Sequence, residues 1–395
     1  MLHKNRLFTP GPTPLLPAAQ TAMAAFTAHH RTADFRALFQ RVLADMKDFI
    51  GTKNDVLVLA SSGTGVMEAS VSNLTSPGDR VLVLTAGKFG ERWTGLAKAF
   101  GCNVDVLSKP YGETFSLDEI RARVTPDVRA VFVQATESST GARHDVQGIA
   151  KIVHAQGGDT LLIVDAITGL GTTQLDVDGW GVDFIIGGSQ KALMMPPGLA
   201  YCAVSERAWK RMDSTTSPRY YFDLRKERKS AAKGETAYTP ATSLFAALGA
   251  ALDFVRGMGG GDLAKGREEL VNNAELCAEM TRAGAKALGL KLYASAPAAA
   301  LTAITSPDGI DSGKIVKEFR ESFDAVVANG QGEMKGRLFR VAHIGYYDYL
   351  DTIGILGALE HVLARVTDKS VEYGAAVRAA QQVYARSMEA AVSAV

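Results

Sequence analysis

Val182-Asp-Phe-Ile-Ile-Gly-Gly-Ser-Gln-Lys-Ala-Leu-Met-Met-Pro-Pro-Gly198 is an apolar run that leaves through two glycines and delivers a lysine, Lys191, into a turn of methionines and prolines. The run ahead of it, Leu161-Leu-Ile-Val-Asp165-Ala-Ile167, ends on a carboxylate. Neither shows the apolar–polar alternation of a strand with one wet face. Continuously apolar runs read as strands covered on both sides, the pattern of a parallel sheet. Working outward, similar runs stand at Val56–Ala60, Val81–Thr85, Val104–Leu107 and Ala130–Gln134, with helical spacing between some of them, as in Phe35 to Phe49 and Leu117 to Val124. The expected fold is α/β, with a doubly wound, mostly parallel sheet in a large domain at 21–256.

Before it, residues 1–20 hold Pro10, Pro12, Pro14 and Pro17 around Gly11, which reads as an extended arm laid over a body, because proline fixes φ and removes a donor. After it, Gly257-Met-Gly-Gly-Gly261 reads as a helix end and hinge; Asp262 follows where a phosphate loop would have Lys-Ser/Thr. Residues 262–366 suit a smaller α+β domain, with helices at Leu263–Leu288 and Tyr349–Arg365 and strands near Leu301–Thr305 and Leu338–Val341. The tail, 367–395, is alanine-rich and reads as a C-terminal helix from Lys369 to Ala391, with Val371, Ala375, Ala379 and Val383 as its packing stripe.

Composition narrows the function. Among 395 residues, 43 Lys+Arg against 42 Asp+Glu leave a net charge of +1, so no nucleic-acid partner is expected and any anion site must be local. The three cysteines, Cys102, Cys202 and Cys277, are far apart, which disfavours a disulfide framework or a cysteine-based metal site. No apolar run reaches the roughly 18–20 residues of a membrane span. The first residues lack the apolar stretch of a signal peptide, so a cytoplasmic enzyme is expected.

In open α/β sheets ligands sit outside the carboxyl ends of the strands, so Asp165 and Lys191 should share one rim. A desolvated lysine is nucleophilic, because burial disfavours its charged form. An aspartate facing a heteroaromatic nitrogen keeps that nitrogen protonated, and lysine plus aspartate is then the pyridoxal phosphate arrangement. On these two residues alone, an ion pair bracing two loops explains the pattern equally well. A third element shifts the balance. Asp55-Val-Leu-Val-Leu-Ala-Ser-Ser62-Gly63-Thr64-Gly65 is a strand, a small polar turn and a helix start, and such a turn forms an anion cradle suited to a phosphate. The plainer reading is an ordinary N-cap by Ser62 or Thr64. A dinucleotide fingerprint fails, since Glu68 stands where a third glycine belongs and the next strand, Arg80–Ala86, ends without an acid.

The chain resembles the class V, fold-type I pyridoxal phosphate aminotransferases of the alanine–glyoxylate and serine–glyoxylate (serine–pyruvate) group. The resembling motifs are Thr9-Pro-Gly-Pro12, His29-His-Arg31-Thr-Ala-Asp-Phe35, Ser62-Gly-Thr64, Gly87-Lys-Phe89-Gly-Glu-Arg92, Glu137-Ser-Ser-Thr-Gly141, Val164-Asp165-Ala, Gly188-Ser-Gln-Lys191 through Gly198, Tyr238-Thr-Pro240 and Phe339-Arg340. The resemblance implies a ping-pong Schiff-base mechanism moving an amino group from serine or alanine to glyoxylate or pyruvate. It implies that Lys191 holds pyridoxal 5'-phosphate and moves the proton, that Asp165 pairs with the pyridine nitrogen, and that Phe89 stacks on the ring. Ser139 would lie near the phenolic oxygen, with Ser138 and Thr140 as alternatives. Ser62, Gly63, Thr64 and Gln190 would hold the phosphate, with Ile167 also against the cofactor. Tyr238 and Thr239 would reach the phosphate of a neighbouring subunit, implying a homodimer with shared sites. Arg340 would bind the substrate carboxylate, with backbone from Gly11; His30 and Arg31 would lie near the site or brace the arm.

Ala135-Thr136 departs from the His or Asn that relatives carry ahead of Glu137-Ser, which leaves the substrate open. Cys277 falls in a helical run and not on the loop a desulfurase needs. Rival readings are another class V enzyme (an aspartate or phosphoserine aminotransferase, a lyase or a desulfurase), an NAD-dependent dehydrogenase, or a non-catalytic protein of the same fold. The basic, aromatic segment from Arg219 to Lys229 reads as a solvated loop at the entrance to the site.

Overall fold

The computed structural model describes residues 4–156, 158–367 and 370–393. Strands β1 (Arg6–Phe8), β2 (Asp55–Ser61), β3 (Arg80–Thr85), β4 (Asn103–Ser108) and β5 (Val128–Gln134) are followed by the two-residue pair β6 (Thr136–Glu137) and β7 (Ala142–Arg143). Then come β8 (Leu161–Asp165), β9 (Phe184–Gly188), β10 (Gly198–Val204), β11 (Leu301–Thr305), β12 (Ala325–Asn329) and β13 (Leu338–Ala342). The large sheet has seven strands in the order β2-β10-β9-β8-β5-β3-β4. Every pairing from β9 through β8, β5 and β3 to β4 is parallel, whereas β10 runs antiparallel to both its neighbours. The expected mostly parallel, doubly wound sheet is therefore present, with one inserted strand, β10, that the sequence reading did not foresee.

Helices cover both faces of that sheet. In chain order they begin α1 (Pro17–Ala25), α2 (Ala33–Ile50), α3 (Gly63–Leu74), α4 (Lys88–Ala99), α5 (Leu117–Arg121), α6 (Val146–Ala155), α7 (Glu206–Met212), α8 (Leu224–Ala231) and α9 (Thr242–Met258). Helix α2 shows how one face is built: Phe35, Phe39, Val42, Met46 and Phe49 recur every three or four residues and are buried, with Thr32 capping the start and Gly51 (φ 77°) ending it. Side chains alternate along β5 and β8. Val131, Val133, Leu162 and Val164 join the α2/α6/α9 face, while Ala130, Phe132, Leu161 and Ile163 pack against α3 and α4.

The remaining helices, α10 (Leu263–Ala287), α11 (Ser312–Phe323), α12 (Tyr349–Val366) and α13 (Ala375–Ser393), surround a four-stranded sheet ordered β1-β12-β13-β11. Four expectations need correction. The proline-rich arm is not extended throughout: β1 pairs in parallel with β12, and Pro17 opens helix α1, where its missing N–H costs nothing. The helix expected to reach Val124 stops at Arg121. The last helix starts at Ala375 and buries Ala376, Ala380 and Val383, so the alanines of the stripe lie one position later than expected, and Lys369 falls outside the described residues. The basic segment is a loop only as far as Asp223, which caps α8; from Leu224 it is helical, and Arg228 pairs with Asp55 and Glu206. Gly257–Gly261 do end α9, and Asp262 caps α10. Cys277 is buried within α10.

Candidate active site

Strands β8 and β9 are neighbours with Asp165 opposite Ile186, so Asp165 and the turn carrying Lys191 emerge at the same carboxyl edge. The turn is rigidly made. Met194 N–H donates to the Lys191 carbonyl (2.9 Å), and the Ser189 hydroxyl donates to the Pro196 carbonyl (2.7 Å) and accepts from Leu199 N–H (3.3 Å). The proline-rich arm lies on it: the Thr13 hydroxyl donates to the carbonyls of Gln190 and Lys191 (3.2 Å each), and Leu16 N–H donates to Met194 (2.9 Å). Lys191 Nζ donates to the Pro10 carbonyl. Gly11 has φ 149°, and a Cβ there would stand 2.4 Å from Lys191 Nζ, so only glycine lets the arm pass the amine.

Asp165 is buried; one carboxylate oxygen accepts from Ile167 N–H (2.9 Å) and the other has no donor among the described residues. Among the described residues no ion pair joins it to Lys191, which removes the simple brace. Burial pushes the Asp165 carboxyl up to about 6, opposed by the Ile167 N–H and, more weakly, by the Lys191 charge. Burial likewise pulls the Lys191 amine down to about 8, against the attraction of Asp165. A carboxylate with a free oxygen and an amine of lowered basicity thus emerge at the same sheet edge and feel each other's charge, as a protonated heterocycle bearing an aldehyde requires.

The cradle at the start of α3 is equally open. Ser62 makes no capping bond, so the ordinary N-cap reading fails for it, and the leading N–H groups of Gly63 and Thr64 have no helical acceptor. Ile167 closes over this turn: a Cβ on Gly63 would meet its Cδ1 at 2.3 Å, and one on Gly188 would meet Gln190 Oε1 at 2.9 Å and Ile167 Cγ2 at 3.4 Å. Ile167, Gly63 and Gln190 are thereby gathered beside the Lys191 turn. Phe89, at the start of α4, is only half-buried and is no core phenylalanine; the Arg92 guanidinium lies 4.7 Å from its ring centre, while Arg92 Nη1 donates to Thr64 Oγ1 at 3.0 Å. These features fit pyridoxal phosphate.

Two contributors escaped the sequence reading, although both lie in quoted motifs. Arg92 is one. Glu137 is the other: buried, it accepts from Phe89 N–H (3.1 Å), Gly90 N–H (3.0 Å), Ser139 N–H (3.1 Å) and the Ser139 hydroxyl (2.6 Å). It anchors the start of α4 and fixes Ser139, whose oxygen also accepts from Lys88 N–H at 3.1 Å. Spacing alone gave no signal, because its partners on α4 lie 47 and 48 residues away.

Arg340, buried on β13, donates to the Ser138 carbonyl (2.6 Å) and twice to the Asn329 carbonyl (3.2 and 2.6 Å). Two of its five N–H groups remain for a ligand. Tyr238 and Thr239 are not drawn in. Tyr238 donates to the Tyr220 carbonyl (2.9 Å) and stacks on Tyr221 (4.9 Å) beside the edge strand β2. His30 stacks on His29 at 4.3 Å and Arg31 is exposed, and neither hydrogen-bonds a site residue among those described.

Comparison with known proteins agrees with this geometry. Residues 9–307 match the family described as aminotransferase class-V. A protein of Synechococcus sp. named soluble hydrogenase, small subunit, is 38% identical over 390 residues, covering 97% of this chain and 99% of its own. The serine–glyoxylate aminotransferase of Methylorubrum extorquens is 31% identical over 370 residues, 90% of each chain. The crystal structure of a subgroup IV aspartate aminotransferase from Thermus thermophilus superposes with a TM-score of 0.85 at 34% identity, covering 92% of this chain and 100% of that one. Sheet, lysine turn and relatives together define a fold-type I, pyridoxal phosphate-dependent transaminase. Within that class, the chain belongs to the class V aminotransferases. No described helix is long and apolar enough to cross a membrane.

Proposed function

We propose that this aminotransferase moves the amino group of a small amino acid, serine or alanine, to glyoxylate or pyruvate in a ping-pong cycle. The observation that carries the reading is Arg340, a buried guanidinium that spends three N–H bonds on neutral carbonyls and keeps two for an incoming carboxylate. Likeness to a relative named serine–glyoxylate aminotransferase supports the small donor.

Bound pyridoxal phosphate supplies an electron-withdrawing ring that acidifies the substrate Cα–H and stores the amino group between half-reactions. Lys191 Nζ would hold the cofactor covalently and, once released, would carry the proton from Cα, a role that suits an amine whose basicity burial lowers. Asp165 would hold the proton on the ring nitrogen through its free oxygen. Ser62, Gly63, Thr64 and Gln190 would receive the phosphate, and Phe89, Ile167 and Ser139 would contact the ring. Arg340, with the Gly11 backbone, fixes the substrate carboxylate and so aims the Cα–H bond at Lys191. Tyr238 and Thr239, turned to the outer edge of the sheet, serve the phosphate of a second subunit in a homodimer. The proposed arrangement has an arm at 1–20, a cofactor-binding domain at 21–256, a smaller domain at 262–366 and a terminal helix at 367–395.

The test is a panel of amino donors assayed against glyoxylate, pyruvate and 2-oxoglutarate. Serine or alanine with glyoxylate or pyruvate should give the highest kcat/KM; a clear preference for aspartate with 2-oxoglutarate would overturn the substrate assignment. Arg340→Ala should raise KM for every amino and oxo acid roughly 100-fold or more, since each charge-assisted bond is worth about 1.5–3 kcal/mol, while cofactor binding persists. Loss of the cofactor instead would place Arg340 in the frame and not in substrate binding.

A further inference from the structure

Arg92 is half-buried and forms no ion pair among the described residues, although Asp165 feels its charge. Among the described residues its side chain makes one hydrogen bond, Nη1 to Thr64 Oγ1 at 3.0 Å, and its guanidinium lies 4.7 Å from the centre of the Phe89 ring. Both partners belong to the cofactor site proposed above, and they sit on different helices, Thr64 on α3 and Phe89 on α4. The hydrogen bond has a direction. A guanidinium can only donate, so the Thr64 oxygen accepts, and the hydroxyl proton is left to point elsewhere. A threonine held this way has its proton free to donate to an anion. The stack has a direction as well: with a cation on one face, the Phe89 ring keeps its other face for an aromatic partner.

We propose that Arg92 is a positioning residue for the cofactor, fixing the Thr64 hydroxyl as a donor to the phosphate and holding the Phe89 ring against the pyridine. One side chain then sets both ends of the bound molecule. This rests on the cofactor assignment above, and the experiment separates the two.

Apoprotein is titrated with pyridoxal phosphate and, separately, with pyridoxal, which has the ring but no phosphate, following quenching of protein fluorescence. Arg92→Met should raise Kd for pyridoxal phosphate roughly 10- to 100-fold, the loss expected for one charge-assisted contact, and should raise it for pyridoxal by a smaller but measurable factor, that of the loosened Phe89 ring, which Thr64→Val should leave unchanged. Thr64→Val should produce a similar phosphate-dependent loss. The double variant should be little worse than either single one, because both remove one shared contact. Arg92→Lys keeps the charge and the packing stem but loses the fork; it should fold like the wild type and lose part of the phosphate-dependent affinity, which keeps the test open if Arg92→Met fails to fold. Equal losses for both ligands, strictly additive losses, or no loss in a folded variant would each overturn the role of Arg92. A wild type that binds neither ligand would overturn the cofactor site instead.

Discussion

Replacing Lys191 by methionine should cut turnover by at least roughly 10³-fold, within the range for losing a positioned general acid–base, and should also make the cofactor-free protein more stable. The two effects share one cause. Burial lowers the Lys191 amine from 10.5 to about 8, so folding opposes its charge. Between those values the unfolded chain holds a proton that the folded chain lacks, and stability rises with pH across that window. Below about pH 8 the folded protein carries the full penalty, roughly 3 kcal/mol at 1.36 kcal/mol per pH unit. Methionine fills a similar volume without the charge. Part of the gain is offset because the Pro10 carbonyl loses its donor. Thermal unfolding of the two apoproteins at neutral pH tests the stability half. Borohydride reduction followed by intact-mass measurement tests the chemical half, since only the wild type should retain one cofactor mass. A methionine variant that still turns over, or an apoprotein less stable than the wild type, would remove Lys191 from its role.

What could be read from the chain follows from where the information lies. Leu161–Asp165 and Phe184–Gly188 announce themselves because strands buried on both faces need unbroken apolar runs, and the first polar residue then marks the sheet edge. Strand β10 escaped because its place is non-local: Gly198–Val204 turns back from the proline pair and inserts between β9 and β2, whose sequence lies far upstream. The C-terminal stripe shifted for another reason. In an alanine-rich helix neighbouring faces differ little in hydropathy, and the groove formed with α10 and α12 selects Ala376 and Ala380 over Ala375 and Ala379. The basic segment misled because its charges are satisfied at a distance, Arg228 by Asp55 and Glu206 and Arg219 by the Ser72 and Met212 carbonyls. Arg92 and Glu137 were hidden in the same way. Their residue types were visible, but their meaning depends on Thr64, Phe89 and Gly90, which only the folded chain brings near.

Asp165→Asn isolates the second half of the lysine–aspartate pair. Asparagine keeps the size and can still accept from Ile167 N–H, but it cannot hold a positive ring nitrogen. Turnover should fall roughly 10²- to 10³-fold, as on losing a preorganised electrostatic partner, while the covalent link through Lys191 survives. The pH dependence gives a sharper signature. Burial raises the Asp165 carboxyl from 3.8 to about 6 in the empty site. The folded protein therefore holds a proton that the unfolded chain has released between those values, so stability falls as pH rises across them, and the apoprotein at neutral pH carries the cost of a buried charge. Asp165→Asn should then unfold at a higher temperature than the wild type at pH 7, with the difference shrinking toward pH 4. Cofactor affinity should weaken in the opposite sense: the wild type loses affinity as pH falls through about 6 and Asp165 protonates, and the variant, already neutral, lacks that component of the acid limb. Wild-type kcat in the variant, or an unchanged acid limb in its binding profile, would mean that this carboxylate only braces the turn at Ile167 and takes no part in the chemistry.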